Sequence, residues 1–165
     1  MNLNGEVIGV NRAIQTAGMS VTGDAINTGI GFAISSNIAS KVVPSLIAKG
    51  SYDYPYLGMT SYSSMSLAMI EVLDLPQSTG AYVSSVVNGG PADVAGIKGG
   101  SVPTSVQDVY KGGDLIVAVD GQQIKDFSEL LSYLVVNKNP GETITFTVIR
   151  NGQTLDVDVV LGRRE

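Results

Sequence analysis

Gly113-Asp114-Leu115-Ile116-Val117-Ala118-Val119-Asp120-Gly121 is the stretch that decides the fold. Five consecutive apolar residues between two Gly/Asp turn pairs do not alternate, so they read as a strand buried on both faces at the centre of a sheet. Asp120-Gly121 is a tight-turn pair that sends the chain back along Gln122-Gln123-Ile124. Beyond it, Ser128 offers an N-cap for a helix with Phe127, Leu130 and Leu134 on its core face, ended by Pro140-Gly141. Ile144, Phe146 and Val148 then alternate with threonines, Asn151-Gly152 turns, and Leu155, Val157, Val159 and Leu161 alternate with polar residues. That pattern is a hairpin with one buried face.

Working back from the central strand, residues 98–112 form a long connection with the composition of an extra hairpin or flap. Before it, Ala81-Tyr82-Val83-Ser84-Ser85-Val86-Val87 is a strand closed by Asn88-Gly89-Gly90-Pro91. Residues 65–73 are apolar at 65, 69, 70 and 73 and stop before Leu75-Pro76, which predicts a short helix. Short strands with two helices over residues 56–165 predict a mainly β, α+β domain, a partly open barrel.

Ser51-Tyr52-Asp53-Tyr54-Pro55 reads as a linker, which places 1–49 in a different unit, with 50–55 as the connection. In that unit Asn4-Gly5 is a hairpin signal followed directly by a strand from Glu6 to Asn11. Only Met1 to Leu3 precede it, so the chain is expected to begin inside a folded unit. Residues 15–28 are small and polar and predict a long loop, and Gly29-Ile30-Gly31-Phe32-Ala33-Ile34 predicts a short strand. Ser35-Ser36-Asn37 then caps a helix carrying Ile38, Val42, Leu46 and Ile47, which Pro44 should kink or shorten at its start and Gly50 should end.

Composition limits the chemistry. The 165 residues include no histidine, no cysteine and no tryptophan, which removes Ser-His and Cys-His catalysis and any thiolate or imidazole metal site from this chain. Ten Lys+Arg against fifteen Asp+Glu give a net charge of -5, and the pI near 4.6 opposes nucleic-acid binding. No cofactor and no metal is expected. No apolar run reaches the roughly 20 residues of a membrane span, and the first residues lack signal-peptide character. Asp114 reads as a backbone-bonding turn residue, Asp156 and Asp158 as solvent-facing strand residues, and Arg163-Arg164 as a solvated tail. Lys41 and Lys49 lie on the outer face of a helix, which gives a Ser-Lys mechanism no support.

The second segment resembles a PDZ domain in the circularly permuted bacterial and archaeal arrangement. Tyr56-Leu57-Gly58-Met59, Gly80-Ala81-Tyr82-Val83, Gly90-Pro91-Ala92-Asp93-Val94-Ala95-Gly96-Ile97 and the opening nonapeptide follow in that family's order. The first segment resembles the end of the trypsin-like domain of HtrA/Deg serine proteases. Asn2-Leu3-Asn4-Gly5-Glu6-Val7-Ile8-Gly9-Val10-Asn11 looks like the hairpin after that family's Gly-Asn-Ser-Gly-Gly motif, and residues 29–34 like the strand beside its specificity pocket. The catalytic Ser, His and Asp would all lie upstream, so no catalytic residue carries over to this chain.

What the resemblance implies is capture of a peptide C-terminus by strand addition. The carboxylate would rest on the N–H groups of Leu57, Gly58 and Met59 in the Tyr56 to Met59 loop, and Met59, Thr60 and Ser61 would pair with the peptide. Ser128, Leu131, Ser132 and Val135 would line the pocket from the helix. Ala13, Ile14, Ile30 and Gly31 are a candidate wall of the protease specificity pocket; the competing reading is barrel core. The implied partners are C-termini of unfolded or misassembled proteins and the parent's own protease domain, with room for a homo-oligomer; the implied compartment is extracytoplasmic. A non-enzymatic PDZ adaptor with a vestigial protease remnant is the alternative. The PDZ module of a Ser-Lys tail-specific protease is a third reading, which residues 29–34 argue against.

Overall fold

The computed structural model describes residues 1–19, 22–23, 25–62 and 64–164 and divides into two compact units, Met1–Tyr52 and Asp53–Glu165. In the first unit an antiparallel pair, β1 (Gly9–Met19) and β2 (Ala25–Ser35), leads into helix α1 (Ser36–Lys49). The loop expected over residues 15–28 is for the most part ladder instead. Its register slips at three places, and Gly18 takes φ +75°, so bulges carry a sequence without period-2 alternation through a strand. The Asn4-Gly5 expectation also shifts. Gly5 N–H donates to Asn2 O at 3.1 Å, the Asn2 side chain accepts from Asn4 N–H and Glu6 N–H, and the ladder begins at Gly9 rather than Glu6.

Ser35 caps α1 by accepting from Asn37 N–H at 3.2 Å, and Gly50, at φ 72°, closes it with a bond to Leu46 O. Pro44 sits inside the helix without shortening its start. Ala13, Ile14, Ile30 and Gly31 are all exposed in this unit, with Ile14 at 57% and Ile30 at 49%. A two-stranded ribbon with one helix has too little surface to cover both of its faces.

The second unit runs β3 (Pro55–Tyr56), β4 (Met59–Ser61), α2 (Leu67–Leu73), β5 (Ala81–Val86), α3 (Pro91–Val94), β6 (Val102–Pro103), β7 (Tyr110–Lys111), β8 (Leu115–Val119), β9 (Gln122–Gln123), α4 (Phe127–Asn137), β10 (Thr143–Arg150), β11 (Gln153–Val160) and β12 (Gly162–Arg163). Its main sheet has the order β11-β10-β8-β5-β4, with β9 paired to β8, and every pairing is antiparallel. The uninterrupted apolar run thus sits in the middle, where both neighbours and both faces are protein. Asp120 and Gly121, like Asn151 and Gly152, both take positive φ, the signature of the two-residue turns their sequences predicted. Ala81, Val83, Ile116, Leu130, Ile144, Phe146, Val148 and Val159 are fully buried in one cluster under the sheet. The unit is mainly β with a few short helices and open sheets.

Asp114, expected as a turn residue bonding backbone, does accept from Lys98 N–H at 2.8 Å, but it is completely buried and does more. Its two oxygens take Arg150 Nε and Nη2, each at 2.6 Å, and Nη2 also donates to Gly96 O at 2.8 Å. The hydrogen bonds to Asp114 hold the Arg150 guanidinium even more firmly protonated than usual. Residues 98–112 carry the small β6–β7 hairpin. It is tied down by Tyr82, whose hydroxyl donates to Tyr110 O at 2.7 Å, and by Tyr62, whose hydroxyl donates to Asp108 O at 3.0 Å. The two rings stack at 6.0 Å.

Candidate functional site

The turn from β3 to β4 is built on Gly58, which adopts φ +70°. A Cβ there would also sit 3.2 Å from Pro91 Cδ and 3.3 Å from Gly90 Cα, so both the backbone angle and the space require glycine. The carbonyls on either side point inward: Leu57 O accepts from Ala92 N–H at 2.9 Å and Gly58 O from Val87 N–H at 2.7 Å. In a planar trans peptide the N–H lies opposite the carbonyl, and this chain has no cis bond among the described residues. The N–H groups of Gly58 and Met59 are therefore directed away from α3 and β5. Two neighbouring donors turned the same way form an anion-accepting concavity.

They open on a groove of about 450 Å³ between this turn and α4. Of the residues the sequence pointed to, Tyr56, Leu57, Gly58, Met59, Leu131 and Val135 come together along it. Thr60, Ser61, Ser128 and Ser132 are not among its lining residues. Thr60 Oγ1 bonds Ser84 and Ser85 Oγ at 2.9 and 2.7 Å, facing the neighbouring strand, and Ser132 borders a different depression with Gln122 and Lys125. Ala13, Ile14, Ile30 and Gly31 belong to the other unit, where Ile14 and Gly31 are directly opposed across the β1–β2 ladder.

Five lining residues were not foreseen: Tyr54, Pro55, Phe127, Leu134 and Arg164. The helix explains two of them. Its N-cap is Asp126, which accepts from Glu129 N–H at 2.9 Å, while the Glu129 carboxylate takes Lys125 N–H at 2.8 Å; Ser128 is already inside the first turn. The face presented to the groove is then 127, 131, 134 and 135, an i, i+4, i+7, i+8 stripe that the sequence contains. Arg164, read as solvated tail, is held in place because β12 pairs with β3 and Arg164 N–H donates to Tyr54 O at 3.1 Å. It is the one charged residue among the described residues lining the groove.

The site is thus a mainly apolar trough lined by the Gly58-Met59 turn and one cation, with edge strand β4 beside it. No group of three or more His, Cys, Asp or Glu that could hold a metal occurs among the described residues. The arrangement can bind an extended chain that ends in an anion.

Residues 55–161 match the PDZ domain family, and the chain belongs to that family. Its relatives are the DegQ, DegP and HtrA serine proteases. It is 34% identical to the periplasmic pH-dependent serine endoprotease DegQ of Escherichia coli K12, over 98% of this chain and 31% of that protein. It is 26% identical to the serine protease Do-like HtrA of Bacillus subtilis, over 100% of this chain and 34% of that protein. Among solved structures, the HtrA-type protease AlgW with a decapeptide superposes with a TM-score of 0.69 at 29% identity, covering 98% of this chain and 43% of that one. The chain spans about a third of the length of the curated relatives it matches. No described helix is long and apolar enough to cross a membrane.

Proposed function

We propose that this chain is the peptide-binding portion of an HtrA-type serine endopeptidase. Its groove takes the apolar C-terminus of an unfolded or misassembled protein, which adds as a strand to the β4 edge and presents the substrate to, or regulates, a protease domain elsewhere in the parent protein. One observation carries this: the inward carbonyls of Leu57 and Gly58 leave the Gly58 and Met59 N–H groups turned away from α3 and β5 in a turn that lines an apolar groove, next to an edge strand. Leu57, Met59, Phe127, Leu131 and Val135 form the body of the site, and burial of a terminal Val, Leu or Phe there supplies about 1.5–3 kcal/mol. Ordering a flexible peptide offsets part of the gain, so affinity falls at the micromolar level, roughly -8 kcal/mol.

Residues 1–49 are, in this proposal, the last strands and helix of the trypsin-like domain, with Ala13, Ile14, Ile30 and Gly31 near its specificity pocket, and 56–165 are the PDZ domain in its permuted form. The catalytic triad belongs to the rest of the parent, since this chain has no histidine. The relatives' periplasmic names support an extracytoplasmic setting.

The test is fluorescence anisotropy of a labelled peptide ending in a free apolar residue. Alternation along β4 puts the Ser61 N–H, like that of Met59, on the outer edge, so Ser61→Pro removes a bond to the incoming strand. Binding should be lost in a variant that keeps the wild-type thermal melt. Undiminished binding in that folded variant rejects strand addition.

A further inference from the structure

Arg163 and Arg164 are neighbours in sequence with different surroundings. Arg163 Nε lies 2.9 Å from Asp53 and is neutralised there. Among the described residues no carboxylate comes within ion-pair distance of Arg164. The β3–β12 pairing and the bond to Tyr54 O fix Arg164 beside the residues that lead into the Leu57-Gly58 turn, and it lines the groove there. In a chain of net charge -5, the one charged residue among the described residues lining the groove is positive, and it shares that groove with Gly58 and Met59.

From this juxtaposition we infer that Arg164 is a specificity determinant of the groove: its guanidinium recognises the terminal carboxylate of the bound peptide together with the Gly58 and Met59 N–H groups, and so selects free C-termini over internal segments. The inference rests on the peptide-binding reading above. A guanidinium suits the role because its donors match the two oxygens of a carboxylate and it stays charged at every physiological pH. Its exposure keeps the contribution in the range of a surface ion pair, about two- to fivefold in affinity, and salt screens it.

The experiment measures anisotropy on the whole chain with one peptide in two forms, free acid and C-terminal amide, against wild type, Arg164→Gln and Arg164→Glu, at low and high ionic strength. The expected result is that Arg164→Gln weakens the free acid about two- to fivefold and leaves the amide unchanged, that Arg164→Glu weakens the acid further, and that the differences shrink in high salt. If wild type prefers the acid and Arg164→Gln keeps that preference in full, the inference is overturned while carboxylate capture by the backbone stands. Equal weakening of acid and amide overturns it too, because the arginine would then act on packing alone. If wild type does not distinguish acid from amide, carboxylate capture itself falls, and the inference with it.

Discussion

Replacing Asp114 by Asn tests how the second unit is held together. The carboxylate is completely buried and anchors three groups at once: Arg150 Nε and Nη2, and Lys98 N–H. Asparagine keeps the volume but brings one oxygen and an NH2, so a donor now faces the guanidinium fork and Arg150 loses its counter-charge. Breaking a buried pair from one side costs about 3–5 kcal/mol. The Arg150 side chain is 25% exposed and can draw on water, which lowers the expected loss to about 3 kcal/mol. For a unit of this size that is a drop of about 10–20 °C in Tm. Urea denaturation followed by circular dichroism measures it directly. A loss below about 1 kcal/mol at unchanged m-value refutes the reasoning, since it means that water or another acceptor replaces the carboxylate. Exchanging both partners, Asp114→Leu with Arg150→Met, should recover much of the loss, because no charge is then left stranded.

Two other outcomes follow from local geometry. Gly58→Ala forces a side chain into φ +70° and against Pro91, so it should cost about 1–2 kcal/mol in a denaturant melt and weaken peptide binding by more than that loss explains; normal affinity in the folded fraction contradicts the role given to the turn. Asp120 is partly desolvated, which alone would raise its pKa, but Thr145 N–H, Lys138 and Tyr133 outweigh this and hold it below the usual carboxylate range. A depressed folded-state pKa contributes stability above the unfolded value of about 3.9 that is lost as pH falls through the folded one. Asp120→Asn should therefore be about 1 kcal/mol less stable at neutral pH, with the gap closing below about pH 4; a gap independent of pH counts against the ion pair.

The sheet was legible wherever one residue type decides a local question. Five apolar residues in a row forced β8 to the centre, and Asp120-Gly121 and Asn151-Gly152 forced the turns. The groove was only half legible, and the reason is angular. Placing the cap at Ser128 rather than Asp126 starts the helix late and separates a core stripe from a groove stripe, whereas Leu134 is both buried in the core and part of the groove wall. The Asp114–Arg150 pair spans 36 residues and Arg164 depends on the pairing of the two ends of the domain, and no local pattern encodes either. In the first unit the bulged ladder erased the alternation that signals a strand, so residues 15–28 looked like loop.

The two borders of the main sheet are not alike. On β11, Asp156 and Asp158 project from the outermost strand and are steadied by Thr147 and Thr145 Oγ1, which donate to them at 2.7 and 2.6 Å. Charges on a border strand discourage a stranger from docking. On β4 the outermost side chains are Met59, Thr60 and Ser61, none of them charged, and Thr60 is occupied with its own neighbours. A visiting strand thus meets a sheet with a guarded flank and a receptive one. On the proposed reading, the choice of where a peptide lands is made before any pocket is filled.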